Sequence, residues 1–161
     1  MTDKDSNIYQ GGCSCGKARY QVTGTPLFVH CCHCSYCQQQ SGSAFAINAM
    51  IEASRVNLVS GETEVVQTPT PSGRGQKVAR CVNCKIALWS NYGGAGDSVH
   101  FVRVGTLDNP DVFPPDIHIY MSTKQNWFEV STDIPAVDGY YSSREYWPQK
   151  SLERMKVLRS G

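Results

Sequence analysis

The chain has 161 residues, with 15 Lys+Arg against 14 Asp+Glu, a formal net charge of +1 and 40% hydrophobic residues. That length suits one domain spanning residues 1–161, and a charge so near balance excludes a nucleic-acid binder working through a broad basic field as well as an acidic solvating tail. A domain of this size buries roughly 70% of the surface its unfolded chain exposes and needs no staples to fold, so its 8 cysteines require a chemical explanation.

In chain order, the start MTDKDSNIYQGG is polar, with neither an apolar core nor a small-residue cleavage site, and reads as no secretory leader. No apolar run approaches the ~18 residues of a membrane span. A reducing cytoplasm is the expected compartment, where spaced cysteines serve as metal ligands or catalytic groups rather than disulfides. Residues 17–22 alternate polar and apolar like a half-buried strand, and Gly24, Thr25 and Pro26 end it. Further strands are expected over 27–31, over 45–51 (with Phe45, Ile47, Ala49 and Ile51 on one face), over 56–59 and over 64–68. Residues 69–76, with Pro69, Pro71, Gly73 and Gly75, read as a loop. Strands follow over 77–80, 86–92, 98–107 and 117–121. Helix is sparse: one or two turns over 34–40, stopped at Ser41-Gly42, and an amphipathic tail over 149–158 with Leu152, Met155 and Leu158 three apart. The expected class is mainly β, built of curled antiparallel sheets.

The cysteines fall into three groups: Cys13-Ser14-Cys15, then Cys31, Cys32, Cys34 and Cys37, then Cys81-x-x-Cys84. Residues i and i+2 of an extended chain share a face, so Cys13 and Cys15 can point at one metal. A CxxC turn can hold the other half of a tetrahedral zinc site. Joined, Cys13, Cys15, Cys81 and Cys84 make a filled, structural site. Cys32, Cys34 and Cys37 offer three ligands and an open fourth position, the mark of a catalytic zinc, unless His30, His33 or Cys31 closes it. Cys31 points away from its neighbour and has no assigned role. An alternative pairing of Cys34 and Cys37 with Cys81 and Cys84 is equally compatible with spacing. No helix of a thioredoxin-like βαβ unit follows either CxxC, the H-x-E and P-C-x-x-C signatures of zinc deaminases are missing, and no H-x₃₋₅-H pair makes a C₂H₂ finger.

The succession GGCSCGKARY, HCCHCSYCQQQSGSAF and RCVNC, followed by GTLDNP, PPDIHIY and Trp127 ahead of DIP, resembles the glutathione-dependent formaldehyde-activating enzyme family from about residue 12 to residue 135. The resemblance implies an Mss4-like fold of zinc-bearing antiparallel sheets. It implies two Zn²⁺ per chain, with Cys13, Cys15, Cys81 and Cys84 holding a structural zinc and Cys32, Cys34 and Cys37 a catalytic one. It implies a carbon–sulfur lyase that joins glutathione and formaldehyde into S-(hydroxymethyl)glutathione or makes a related thiol–aldehyde adduct. The other reading is a non-catalytic, zinc-stabilised binding module of the same fold. Lys85 stands where this family usually has Gly, and Gln38-Gln39 where it often has basic residues. Expected partners are a small anionic thiol and an aldehyde, with no nucleic acid and no membrane. Arg74, Lys77, Arg80 and Arg103 are the candidate anion contacts. His118 and His33 are read as structural, and Tyr120, Trp127 and Phe128 as core.

Overall fold

The computed structural model describes residues 4–161; residues 1–3 of the polar stretch read as leaderless lie outside them. Ten strands run in the order β1 (Ile8–Gly12), β2 (Arg19–Thr23), β3 (Phe28–Cys32), β4 (Ala46–Glu52), β5 (Val56–Ser60), β6 (Thr63–Thr68), β7 (Gln76–Cys81), β8 (Ala87–Tyr92), β9 (Val99–Arg103) and β10 (Ile117–Ile119). Three α-helices, α1 (Ser35–Ser41), α2 (Ser143–Tyr146) and α3 (Gln149–Ser160), join them. A small sheet has the order β1-β2-β5, and a seven-stranded sheet has the order β10-β3-β4-β9-β8-β7-β6. The fold is therefore mainly β in two sheets, as expected. No helix among the described residues is long and apolar enough to cross a membrane.

The expected strands fall within two residues of their observed starts, and the differences have local causes. Strand β1 escaped sequence reading because its Gly11-Gly12 end breaks the alternation. A Cβ on Gly11 would lie 2.6 Å from the Tyr20 ring and 2.7 Å from the Thr106 carbonyl oxygen, so only glycine permits the close approach. The strand expected over 98–107 stops at Arg103, where Val104–Thr106 tightens into a 3-10 turn. The one expected over 117–121 stops at Ile119, because Tyr120 takes the left-handed conformation (φ 56°) and turns the chain. Pairing also departs from an all-antiparallel plan: β10 lies parallel to β3, with His118 opposite Cys31 and Ile119 opposite Cys32. A connection of more than eighty residues separates the two strands, which allows the parallel direction.

The large sheet is covered on both faces. Ala49 and Ile51 on β4 enter a core with Tyr20, Val22, Leu88 and Val102, under the small sheet. Ala46 and Met50, on the opposite face, join Phe101, Ile117 and Trp147, with Leu152, Met155 and Leu158 of α3 packed against them. The alternation read over 45–51 is thus correct for one face, and the C-terminal segment buries the other. Of the aromatics assigned to the core, Trp127 is 71% exposed and Tyr120 37% exposed. Trp127 donates from Nε1 to Gln125 Oε1 at 2.6 Å within its own loop, while Phe128 is half-buried against His33 and Phe45.

Helix α3 is tied to β4 by an ion pair set in the core. Arg154 donates from Nε to Glu52 Oε1 at 2.7 Å and from a terminal nitrogen to Oε2 at 2.5 Å and to the Thr25 carbonyl at 3.0 Å. Burial alone would raise the Glu52 carboxyl, but the Arg154 fork outweighs it and holds the pKa below the ordinary carboxylate range. A depressed folded-state pKa contributes stability above the unfolded value, roughly 4.3, and loses it as pH falls through the folded value. Glu52→Gln is expected to cost about 3 kcal/mol at neutral pH, since it leaves the arginine buried and half-paired, and to flatten the acid limb of stability below about pH 4. Denaturant melts across pH check this; equal acid slopes in wild type and variant would refute it.

Candidate metal centre and the adjoining cavity

Two groups of thiols converge, and each is assembled by the turn that carries it. Cys13 follows β1 and opens a turn in which Gly16 (φ 77°) donates back to the Cys13 carbonyl at 3.2 Å. The Ala18 amide then donates to Cys13 Sγ at 3.3 Å. Cys81 ends β7, and the Lys85 amide donates to its carbonyl at 2.9 Å, which folds Cys84 back beside it. The four sulfurs of Cys13, Cys15, Cys81 and Cys84 lie within 4.8 Å of one another, with Cys13–Cys15 at 3.4 Å and Cys15–Cys81 at 3.8 Å. All eight cysteines are free thiols. Backbone amides, that of Ile86 foremost, pull the Cys84 thiol down to about 5, which suits a group that has to act as thiolate. Lys85 has φ 64°, the left-handed position that glycine occupies without strain. This accounts for the glycine usual there in the family that the sequence resembles.

Cys32, Cys34 and Cys37 form the second group, also within 4.8 Å of one another. Cys32 closes β3, Cys34 is the N-cap of α1, and its Sγ accepts from the Cys37 amide at 3.3 Å. Gly42 (φ 67°) ends the helix by donating to the Gln38 carbonyl. Thiol hydrogen bonds from Cys32 and Cys37 drive Cys34 far down, while the same contacts drive Cys32 up. The structure brings together the two sets formed by joining the outer groups and by the C-x-C-x-x-C spacing, and not the alternative pairing of Cys34 and Cys37 with Cys81 and Cys84.

A third group was missed by sequence reading. Cys31, His33 and His118 are almost wholly enclosed, at 1%, 0% and 6% exposure, with their ligating atoms within 4.8 Å of one another. His33 Nε2 lies 2.9 Å from His118 Nδ1 and 3.6 Å from Cys31 Sγ. The two-residue period of β3 puts Cys31 and His33 on the face opposite Cys32, and the parallel β10 supplies His118. The signal was the distant PPDIHIY segment, which nothing local connects to Cys31. His33, which the sequence left as a possible fourth ligand of the Cys32 group, lies with Cys31 and His118 instead and packs against the rings of Phe45 and Phe128.

Cys32, Cys34 and Cys37 line a cavity of about 1360 Å³ between the β3-β4-β9 face and the C-terminal segment. None of Cys13, Cys15, Cys81 and Cys84 reaches it. Of the candidate anion contacts, Arg74 lines the cavity. Lys77 pairs with Asp97 at 2.8 Å outside it, and Arg80 donates to the Lys85 carbonyl at 2.9 Å. Arg103 donates to Asn48 Oδ1 at 2.6 Å, behind the cavity wall; the Cys32 thiol and the Arg103 charge pull the Cys37 thiol down, but Cys34 and burial outweigh them and push it up to about 11. Gln38 bridges the His33 and Thr123 carbonyls, both at 2.9 Å, so the position clamps two loops together rather than facing a ligand.

A family model described as glutathione-dependent formaldehyde-activating enzyme matches residues 8–123. The match takes in all eight cysteines and His118 and stops short of the 135 read from motifs. Among solved structures, the crystal structure of a Rhodobacter sphaeroides protein is similar, with 23% identity over 66% of this chain and 96% of that chain, at a TM-score of 0.50. At that identity the likeness speaks for the fold.

Proposed function

Since the chain belongs to the glutathione-dependent formaldehyde-activating enzyme family, we propose that it is a zinc-dependent carbon–sulfur lyase that joins and parts a thiol and an aldehyde, with glutathione and formaldehyde as the first pair to test. The observation that carries the reading is the contrast between the thiol groups: four sulfurs away from the cavity, three sulfurs on its wall. Thiolate-only donor sets suit zinc. The four fit a closed structural site, and the three fit a site with one place open to a substrate. The proposal is thus two zinc ions per chain, in a protein of the reducing cytoplasm.

A zinc in the three-cysteine site supplies a positive centre that lowers the pKa of an arriving thiol and polarises a carbonyl. The chain's own residues do the rest. Arg103, close enough for its charge to act on Cys37, offsets part of the negative charge that three thiolates would carry and that would otherwise repel an anionic thiol. Arg74 on the cavity wall attracts the substrate carboxylates. In the addition the C–S bond forms, the carbonyl π bond breaks, and the thiol proton ends on the oxygen as a hydroxyl; nothing is oxidised or reduced. Tyr120 stands on the same wall, and burial raises its pKa, which keeps the hydroxyl protonated and able to donate to the developing oxyanion.

The test is the rate of adduct formation and release from glutathione and formaldehyde, followed by NMR exchange. Wild type is expected to exceed the spontaneous rate, and Tyr120→Phe to lose about 100-fold of that excess with an unchanged melting temperature. No excess over the spontaneous reaction would favour the non-catalytic binding module.

A further inference from the structure

The cavity has two properties that formaldehyde does not use, and both come largely from residues beyond the family-matched span of 8–123. The first is charge. Arg74, Arg144, Lys156 and Arg159 line it, and no Asp or Glu does, in a chain whose charges as a whole balance at 15 against 14. None of these four makes an ion pair among the described residues. Arg154, one turn away on the same helix, is by contrast engaged by Glu52. The second property is an apolar wall. Leu152, Met155 and Leu158 of α3 and Trp147 face Phe101 and Met50 of the large sheet. At about 1360 Å³ the space exceeds the roughly 300–1,000 Å³ of ordinary small-molecule sites, whereas formaldehyde is one carbon and one oxygen.

We propose that this cavity takes an anionic thiol together with an aldehyde larger and more apolar than formaldehyde, and that the segment from Arg144 to Arg159 selects the pair. The inference rests on the thiol–aldehyde reading above and names its substrate class. Arg144, Lys156 and Arg159 hold the carboxylates of the thiol. The aldehyde's hydrocarbon lies along Met155, Leu152 and Trp147, where the unbranched, polarisable methionine adapts to varied shapes. Burial of that chain contributes about 0.8 kcal/mol per methylene, a gain that formaldehyde cannot draw on. The chemistry is unchanged: the thiol S–H adds across C=O, forming C–S and leaving a hydroxyl on the former carbonyl carbon.

The experiment uses the full, zinc-loaded chain with glutathione as the thiol probe, and formaldehyde or octanal as the aldehyde. Acceleration over the spontaneous rate is expected to be at least tenfold greater for octanal. Lys156→Glu/Arg159→Glu, both on the exposed side of α3, is expected to raise the KM for glutathione about tenfold with kcat little changed. Met155→Trp, which fills the apolar wall, is expected to bring the octanal-to-formaldehyde ratio of accelerations down to about one. Thermal melts establish that both variants fold. Acceleration of formaldehyde alone, or variants indistinguishable from wild type, would overturn this inference and leave the lyase reading standing. Acceleration of neither aldehyde would overturn both.

Discussion

Cys15→Ser is expected to lose at least about 4 kcal/mol of stability, out of the order of 10 that a structural zinc contributes to folding. For a chain of this length that is a fall in melting temperature of roughly 8–16 °C. The position makes the result easy to interpret. Cys15 is exposed, whereas Cys13 and Cys81 are buried in the core under the small sheet. A serine there removes a ligand without opening a cavity, and an exposed Cys→Ser change with no metal at stake stays within about 0.5 kcal/mol. Thermal unfolding followed by circular dichroism, with a chelator-treated wild type beside the variant, measures the effect. A melting temperature within about 2 °C of wild type would remove the structural role from the group.

The second large effect concerns Cys34→Ala. It should reduce bound zinc from two ions per chain to one, leave the fold intact, and bring adduct formation down to the spontaneous rate. Cys34 sits at the head of α1 and accepts from the Cys37 amide, so the substitution also removes a helix cap, at about 1 kcal/mol. That cost is too small to unfold a domain with a stability of 5–15 kcal/mol. Metal analysis and the adduct assay on one preparation read both outcomes. Two ions retained in Cys34→Ala, or complete unfolding, would sink the division into a structural and a catalytic site.

Much of this was legible in the sequence because the informative patterns are short-range. Cys32, Cys34 and Cys37 meet through one strand end and one helix turn, and Cys81 and Cys84 through one tight turn; local geometry dictates such spacings. The union of Cys13 and Cys15 with Cys81 and Cys84 was left open by spacing, which the pairing of Cys34 and Cys37 with Cys81 and Cys84 satisfies as well, and only the family resemblance chose between them. The group of Cys31, His33 and His118 was not legible, because it depends on β10 arriving parallel beside β3, and parallel partners leave no hairpin signal. The C-terminal wall was legible in part: Leu152, Met155 and Leu158, three apart, announced an amphipathic helix, and these residues do pack against the large sheet. What no local pattern shows is the tie from Arg154 to Glu52 on β4, one of the contacts that hold α3 against the sheet. Tyr120 broke its expected strand because a left-handed residue leaves no trace in a pattern of polar and apolar positions.

The distance along the chain between thiols orders the assembly of the two centres. Cys15 and Cys81 are 66 positions apart, whereas Cys32 to Cys37 spans a single turn of chain. Closing the longer loop costs about 2 kcal/mol more in chain entropy, and it must wait for the β7 hairpins. On the two-zinc proposal, the group on the cavity wall would therefore be able to assemble early in synthesis or refolding, while the one that ties the sheets would be completed only as they form. The order of assembly would then be the reverse of the order of structural importance.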